Sequence, residues 1–207
     1  MGFRGHRRNS FVAALLAASA LAAPAAAQGE AQGEMQDAVP PAEEQGDAGA
    51  READLLRQLR EAESPHAAGL VLAELHGLWS RSGSAAIDLL MRRGQDALEA
   101  GDALAAVEHF TAAADHAPGF AGAYAGRASA LYQTGRVGPA IDDLREALAL
   151  NPEDLDSLTG FAVILEELGR PEDALEVWAR VADMNPQDEA AADAVARLQT
   201  AIEGLAL

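Results

Sequence analysis

The chain has 207 residues, with 15 basic and 33 acidic side chains and a formal net charge of −18. That charge repels nucleic-acid backbones and anionic membrane surfaces within a Debye length of roughly 8–10 Å, and it favours a neutral or basic protein or peptide as partner. No cysteine is present, which excludes disulfides, cysteine-ligated metal centres, thiol nucleophiles and lipoprotein acylation; with aromatics at 4%, the core is expected to be built from small residues on closely spaced helices rather than from large anchors.

Residues 1–27 read as a signal peptide. Arg4, Arg7 and Arg8 precede the uncharged apolar run Phe11 to Ala23, Pro24 breaks that run, and Ala25-Ala26-Ala27 supplies small residues for cleavage. Thirteen apolar residues fall short of the roughly 20 that a helix needs to span a bilayer, so no integral membrane segment is expected in the mature chain. The pair Arg7-Arg8 resembles a twin-arginine signal, but Phe11 stands one place late for it, which favours the general secretory route. The expected location is exported, periplasmic. Removing three arginines and no acid takes the formal charge from −18 to −21.

Residues 28–50 hold six carboxylates, no cation and the pair Pro40-Pro41, and their few apolar residues have no period. A disordered acidic leader is expected there. From Arg51, Leu55, Leu56 and Leu59 recur at helical spacing as far as Ser64-Pro65, and Leu72, Leu75 and Trp79 form a second stripe ending at Ser82-Gly83-Ser84. Residues 51–84 therefore read as a helical pair of a length to be a diverged repeat, placed to close the front end of the segment from Ile87 onward.

That segment is periodic. Pro118, Pro152 and Pro186 are spaced by 34, as are Gly101, Gly135, Gly169 and Ala106, Ala140, Ala174. A period held at several independent positions marks a repeat array. With Leu90, Gly94, Ala97 and Phe110 in the first unit, Tyr124, Ala128, Leu131 and Leu144 in the second, and Leu158, Ala162, Leu165 and Trp178 in the third, the units at 87–120, 121–154 and 155–188 resemble the tetratricopeptide repeat, in particular the short exported bacterial members of that family. The resemblance implies an all-α fold: a right-handed superhelical stack of helix-turn-helix repeats with flanking capping helices, the last at 189–204. Small residues at Gly94, Ala128 and Ala162 facing Ala106, Ala140 and Ala174 suit close helix packing, and the three glycines suit left-handed helix ends. Pro139 and Pro171 stand where second helices begin.

The resemblance also implies that partners lie in a groove lined by the first helices. Groove positions give Asp88, Met91, Gln95 and Leu98, then Gly122, Ala125, Ser129 and Tyr132, then Asp156, Thr159, Val163 and Glu166, with Arg92 beside them. No lysine, arginine or asparagine occupies the twelve, so the family's clamp for a peptide's terminal carboxylate does not carry over. Arg92, Arg93 and Arg127 are the cationic cluster on the first helices, read either as pairing with local acids or as a partner contact. The adjacent acids Asp142-Asp143 and Glu166-Glu167 point about 100° apart on a helix and are read as a solvated face.

No metal site is expected, since His109 and His116 stand two helical turns apart. No nucleophile elbow, phosphate-cradling loop or HExxH motif is present, so neither a cofactor nor an enzymatic activity is expected. The functional expectation is an exported scaffold for protein–protein interaction in the cell envelope; the alternative is a holdase-like periplasmic chaperone.

Overall fold

The computed structural model describes residues 42–205. Among them are nine helices: α1 (Ala42–Arg60), α2 (Pro65–Trp79), α3 (Ala85–Glu99), α4 (Ala103–His116), α5 (Ala121–Gln133), α6 (Val137–Leu150), α7 (Leu155–Glu167), α8 (Pro171–Met184) and α9 (Glu189–Leu205). The expected signal peptide and most of the expected leader lie outside the described residues. Helix α1 begins at Ala42 rather than at Arg51, so Ala42 to Ala50, expected as leader, are helical. Once the leucines at 55, 56 and 59 pin the helix by packing, extending it through alanine- and glutamate-rich sequence costs far less than nucleating it.

Helices α3 to α8 form three hairpins, α3/α4, α5/α6 and α7/α8, each packed on the next. Gly101, Gly135 and Gly169 have φ of +78°, +76° and +68°. Each closes its first helix in the same way: the following N–H donates five residues back, Asp102 to Ala97, Arg136 to Leu131 and Arg170 to Leu165, at 2.8–2.9 Å. Ala117, Asn151 and Asn185, each before a proline, are extended with φ near −133°, as the proline ring demands. Asn151 and Asn185 also accept the N–H two residues on.

Ala106, Ala140 and Ala174 are fully buried, where each second helix meets its first. Ala140→Leu is expected to overpack this contact and cost about 1–3 kcal/mol; an unchanged melting temperature would contradict the placement. The core is not made of small residues alone. Phe110 and Trp178 are both buried, at one position in the first and third repeats. A Cβ on Gly94 or Gly126 would stand 2.5 or 2.6 Å from the Phe110 ring, so two glycines on α3 and α5 form a slot for it. Counting aromatics understates an anchor placed at the repeat's large position.

The adjacent acids also divide. Asp142 is exposed beside Arg145, but Asp143 is buried and receives two 2.7 Å hydrogen bonds from Arg127, so the solvated reading fails for it. The 100° between neighbours turns one of each pair inward. Asp143 raises the Arg127 guanidinium further above its ordinary range, against the opposing effect of burial, and Arg127 stacks on Tyr124 at 5.5 Å. Of the cationic cluster, Arg127 therefore belongs to the α5/α6 contact.

Helix α9 packs on α8 and buries Ala191, Ala194 and Leu198. The pair α1/α2 flanks the stack, but along its side. Its buried leucines, Leu55, Leu56, Leu59 and Leu75, share one core with Leu155, Trp178 and Met184, and α1 contacts α8. The Gln187 amide donates to the Ala62 carbonyl at 2.9 Å, and Arg60 faces Glu153 at 3.9 Å. The pair thus runs past the start of α7 and reaches the loop before α9, a strap along the side of the stack. Leu89 on α3 and Leu104 on α4 are left 41% and 67% exposed. The strap's leucine stripe is buried against α7 and α8 instead of over these side chains, which is the difference from the expected end cap.

Candidate functional site

First helices of successive repeats touch each other, α3 with α5 and α5 with α7, and so make one face. Between α5 and α7 this face opens into a cleft of about 270 Å³. Ala125, Ser129 and Tyr132 line it from α5, and Asp156, Ser157, Gly160 and Val163 from α7, with Ala128, Leu144 and Ile164 at its base. Small residues make the cleft: Ala125, Ala128 and Gly160 leave the Leu144 side chain as the floor. Ser157 is buried and donates to Asp154, whose other oxygen accepts the Asp156 N–H and caps α7.

At one end of the cleft the His76 ring of the strap lies 3.1 Å from the Asp156 carboxylate. At the α5 end the Tyr132 hydroxyl donates to Glu167, and that bond raises the phenol above its ordinary range. Histidine and tyrosine thus mark the two ends of a trough whose middle is apolar.

Of the expected groove residues, Ala125, Ser129, Tyr132, Asp156 and Val163 come together in this cleft. Met91 and Leu98 are half-buried and pack on the first repeat's core, and Gln95 donates to Glu99 on its own helix. Arg92 and Arg93 are exposed with no ion pair among the described residues. Thr159 is half-buried and does not line the cleft.

Glu166, also expected in the groove, does not line this cleft. It accepts hydrogen bonds from the Trp178 indole at 2.7 Å and from Arg197 at 2.6 and 3.1 Å, tying α7 to α8 and α9. Its position near the end of α7 turns it toward α8, the second helix of its own hairpin, and toward α9. Arg197 holds the Glu166 carboxyl below the usual carboxylate range, burial opposes this, and the indole N–H adds to the lowering. A lowered acid contributes stability that is present above the unfolded value of about 4.3 and lost as pH falls through the folded value. Amide exchange in α9 should therefore speed up as pH falls below that range, relative to the intrinsic rate, and Glu166→Gln should abolish the pH dependence.

Gly160, Leu144 and His76 escaped sequence reasoning. The first two were recognisable only as core positions, and His76 depends on where the strap docks. A second, more open cleft of about 740 Å³ lies under the strap, between Trp79 and Arg81 on one side and Phe120, Leu150 and Pro152 on the other.

These features define a helical-hairpin repeat stack with a lined face. Models of the tetratricopeptide repeat match residues 91–154 and 139–198, which together run over just more than half of the chain. The protein belongs to the tetratricopeptide-repeat family. It is similar to a TPR repeat-containing protein of Rhizobium etli, 29% identical over 150 residues that make up 72% of this chain and 74% of the relative. The first TPR domain of Spaghetti (RPAP3), solved bound to the HSP90 peptide SRMEEVD, superposes with a TM-score of 0.55 at 22% identity over 58% of this chain and 95% of that one. The MamA protein superposes with a TM-score of 0.52 at 18% identity over 74% of this chain and 81% of its own. At these identities the solved structures show the shared fold.

Proposed function

We propose that the protein is an exported scaffold that holds a protein partner through a peptide segment laid on the face of α3, α5 and α7. The observation that carries this reading is the α5/α7 cleft: five of the expected groove residues line it, its base is apolar, and its ends are polar. A peptide seated on a related repeat stack in the Spaghetti domain supports the use of this architecture for peptide binding. Export rests on the basic, apolar and small-residue order of residues 1–27, and the preference for a neutral or basic partner on the net charge of −18.

The test is a pull-down with the mature chain from periplasmic extract, read by mass spectrometry. One stoichiometric partner, lost when Ser129 is replaced by a bulky residue, is the expected result. A long series of unrelated, weakly held chains would contradict it and favour a holdase, whose soft apolar contacts would be Met91, Leu98 and Tyr132.

A further inference from the structure

The cleft between α5 and α7 has a size and a polarity that narrow what it takes. A cavity of roughly 150 Å³ already accommodates benzene, so about 270 Å³ suits one large aliphatic side chain with its flanking backbone. The base is hydrocarbon, from Leu144, Ile164 and Ala128, and a polar group inserted there would meet no partner.

The charge at the cleft's edge is one-sided. Asp156 lines it with its side chain 76% exposed, and among the described residues no arginine does. The Asp156 carboxylate already draws a nitrogen from the protein itself, because the His76 imidazole sits 3.1 Å from it at the mouth. Helix α2 thus brings a nitrogen donor to the carboxylate on the rim.

We propose that this cleft binds a protein segment in which a leucine- or methionine-sized side chain stands within two residues of a lysine or arginine. The apolar side chain fills the space over Leu144 and Gly160, and the cation replaces His76 at Asp156. This inverts the charge of a carboxylate clamp, and it rests on the reading of the first-helix face as peptide-binding.

Fluorescence anisotropy on the full chain tests it with three labelled ten-residue peptides on a Gly/Ser background. They carry Leu with two Lys, Leu with two Glu, and Ser with two Lys. The Leu/Lys peptide is expected to bind at least tenfold more tightly than either other, with an advantage over Leu/Glu that shrinks as salt rises. Two variants locate the site. A Cβ on Gly160 meets Leu144 at an ordinary 3.8 Å, so the backbone there accepts a side chain, and Gly160→Leu should occupy the cleft and weaken the Leu/Lys peptide about tenfold with the circular dichroism spectrum unchanged. Asp156→Asn, which places no new bulk in the cleft, should remove the preference for Lys over Glu.

Failure of the Leu/Lys peptide to bind, or binding that neither variant alters, would overturn the inference. Equal or tighter binding of the Leu/Glu peptide, still lost in Gly160→Leu, would overturn the charge assignment and leave the proposed function standing. Peptide binding unchanged by Gly160→Leu, together with a pull-down partner unaffected at Ser129, would contradict the proposed function as well.

Discussion

Replacing Phe110 by alanine is expected to lower the unfolding free energy by about 3–5 kcal/mol. The ring is 1% exposed and held between α3 and α5 in the slot that Gly94 and Gly126 leave, so its removal opens a cavity across two repeats that cannot close unless both helices move. The loss should also be local. Repeat stacks are stabilised by nearest-neighbour contacts, and both tryptophans, Trp79 and Trp178, belong to the core shared by the strap and the third repeat. Circular dichroism of the variant should show a first melting step at α3–α5 that tryptophan fluorescence does not follow. Coincident transitions with wild-type stability would contradict this placement. Gly94→Ala approaches the same slot from the other side: its methyl would fall 2.5 Å from a ring that has no free space to yield, and it should cost about 1–3 kcal/mol despite alanine's better helix propensity.

The second large effect concerns Asp143. Asp143→Leu removes the carboxylate paired with Arg127, which is left with its side chain 21% exposed. Breaking a buried pair by deleting one partner costs about 3–5 kcal/mol, and this residual exposure places the expected loss near 3 kcal/mol, measured by urea unfolding. The double variant Arg127→Met, Asp143→Leu should recover most of it, because an apolar pair avoids the cost of desolvating two charges. If the double variant is no better than Asp143→Leu, the loss arises from packing around position 143 rather than from an abandoned guanidinium.

The repeat stack was legible because its determinants are local and periodic. Gly101, Gly135 and Gly169 need only the chain near them to set a left-handed helix end, and Pro118, Pro152 and Pro186 need only the residue before them. The face of first helices came from the same register, which is why Ala125, Ser129, Tyr132, Asp156 and Val163 meet in one cleft. What was not legible depends on contacts distant in sequence. Glu166 carries a groove register number, yet Arg197 and Trp178 from the following helices claim it. Asp143 looks like half of a solvated acidic pair until Arg127, sixteen residues earlier, is seen to face it. The strap is the plainest case. Its leucine stripe announces an amphipathic helix pair, but nothing in the stripe selects the side of the stack over its end, and the Gln187–Ala62 hydrogen bond that records the choice spans 125 residues.

The central claim, that a partner lies across the first helices, can be tested directly because the chain contains no cysteine, so one introduced thiol is a unique attachment point. Ser129→Cys puts a photo-crosslinker on the exposed rim of the α5/α7 cleft, and Glu146→Cys puts the same reagent on the exposed surface of α6. Illumination in periplasmic extract should give a discrete adduct from position 129 and none from position 146. Equal adducts from both positions, or an adduct from 146 alone, would contradict the assignment of the binding face.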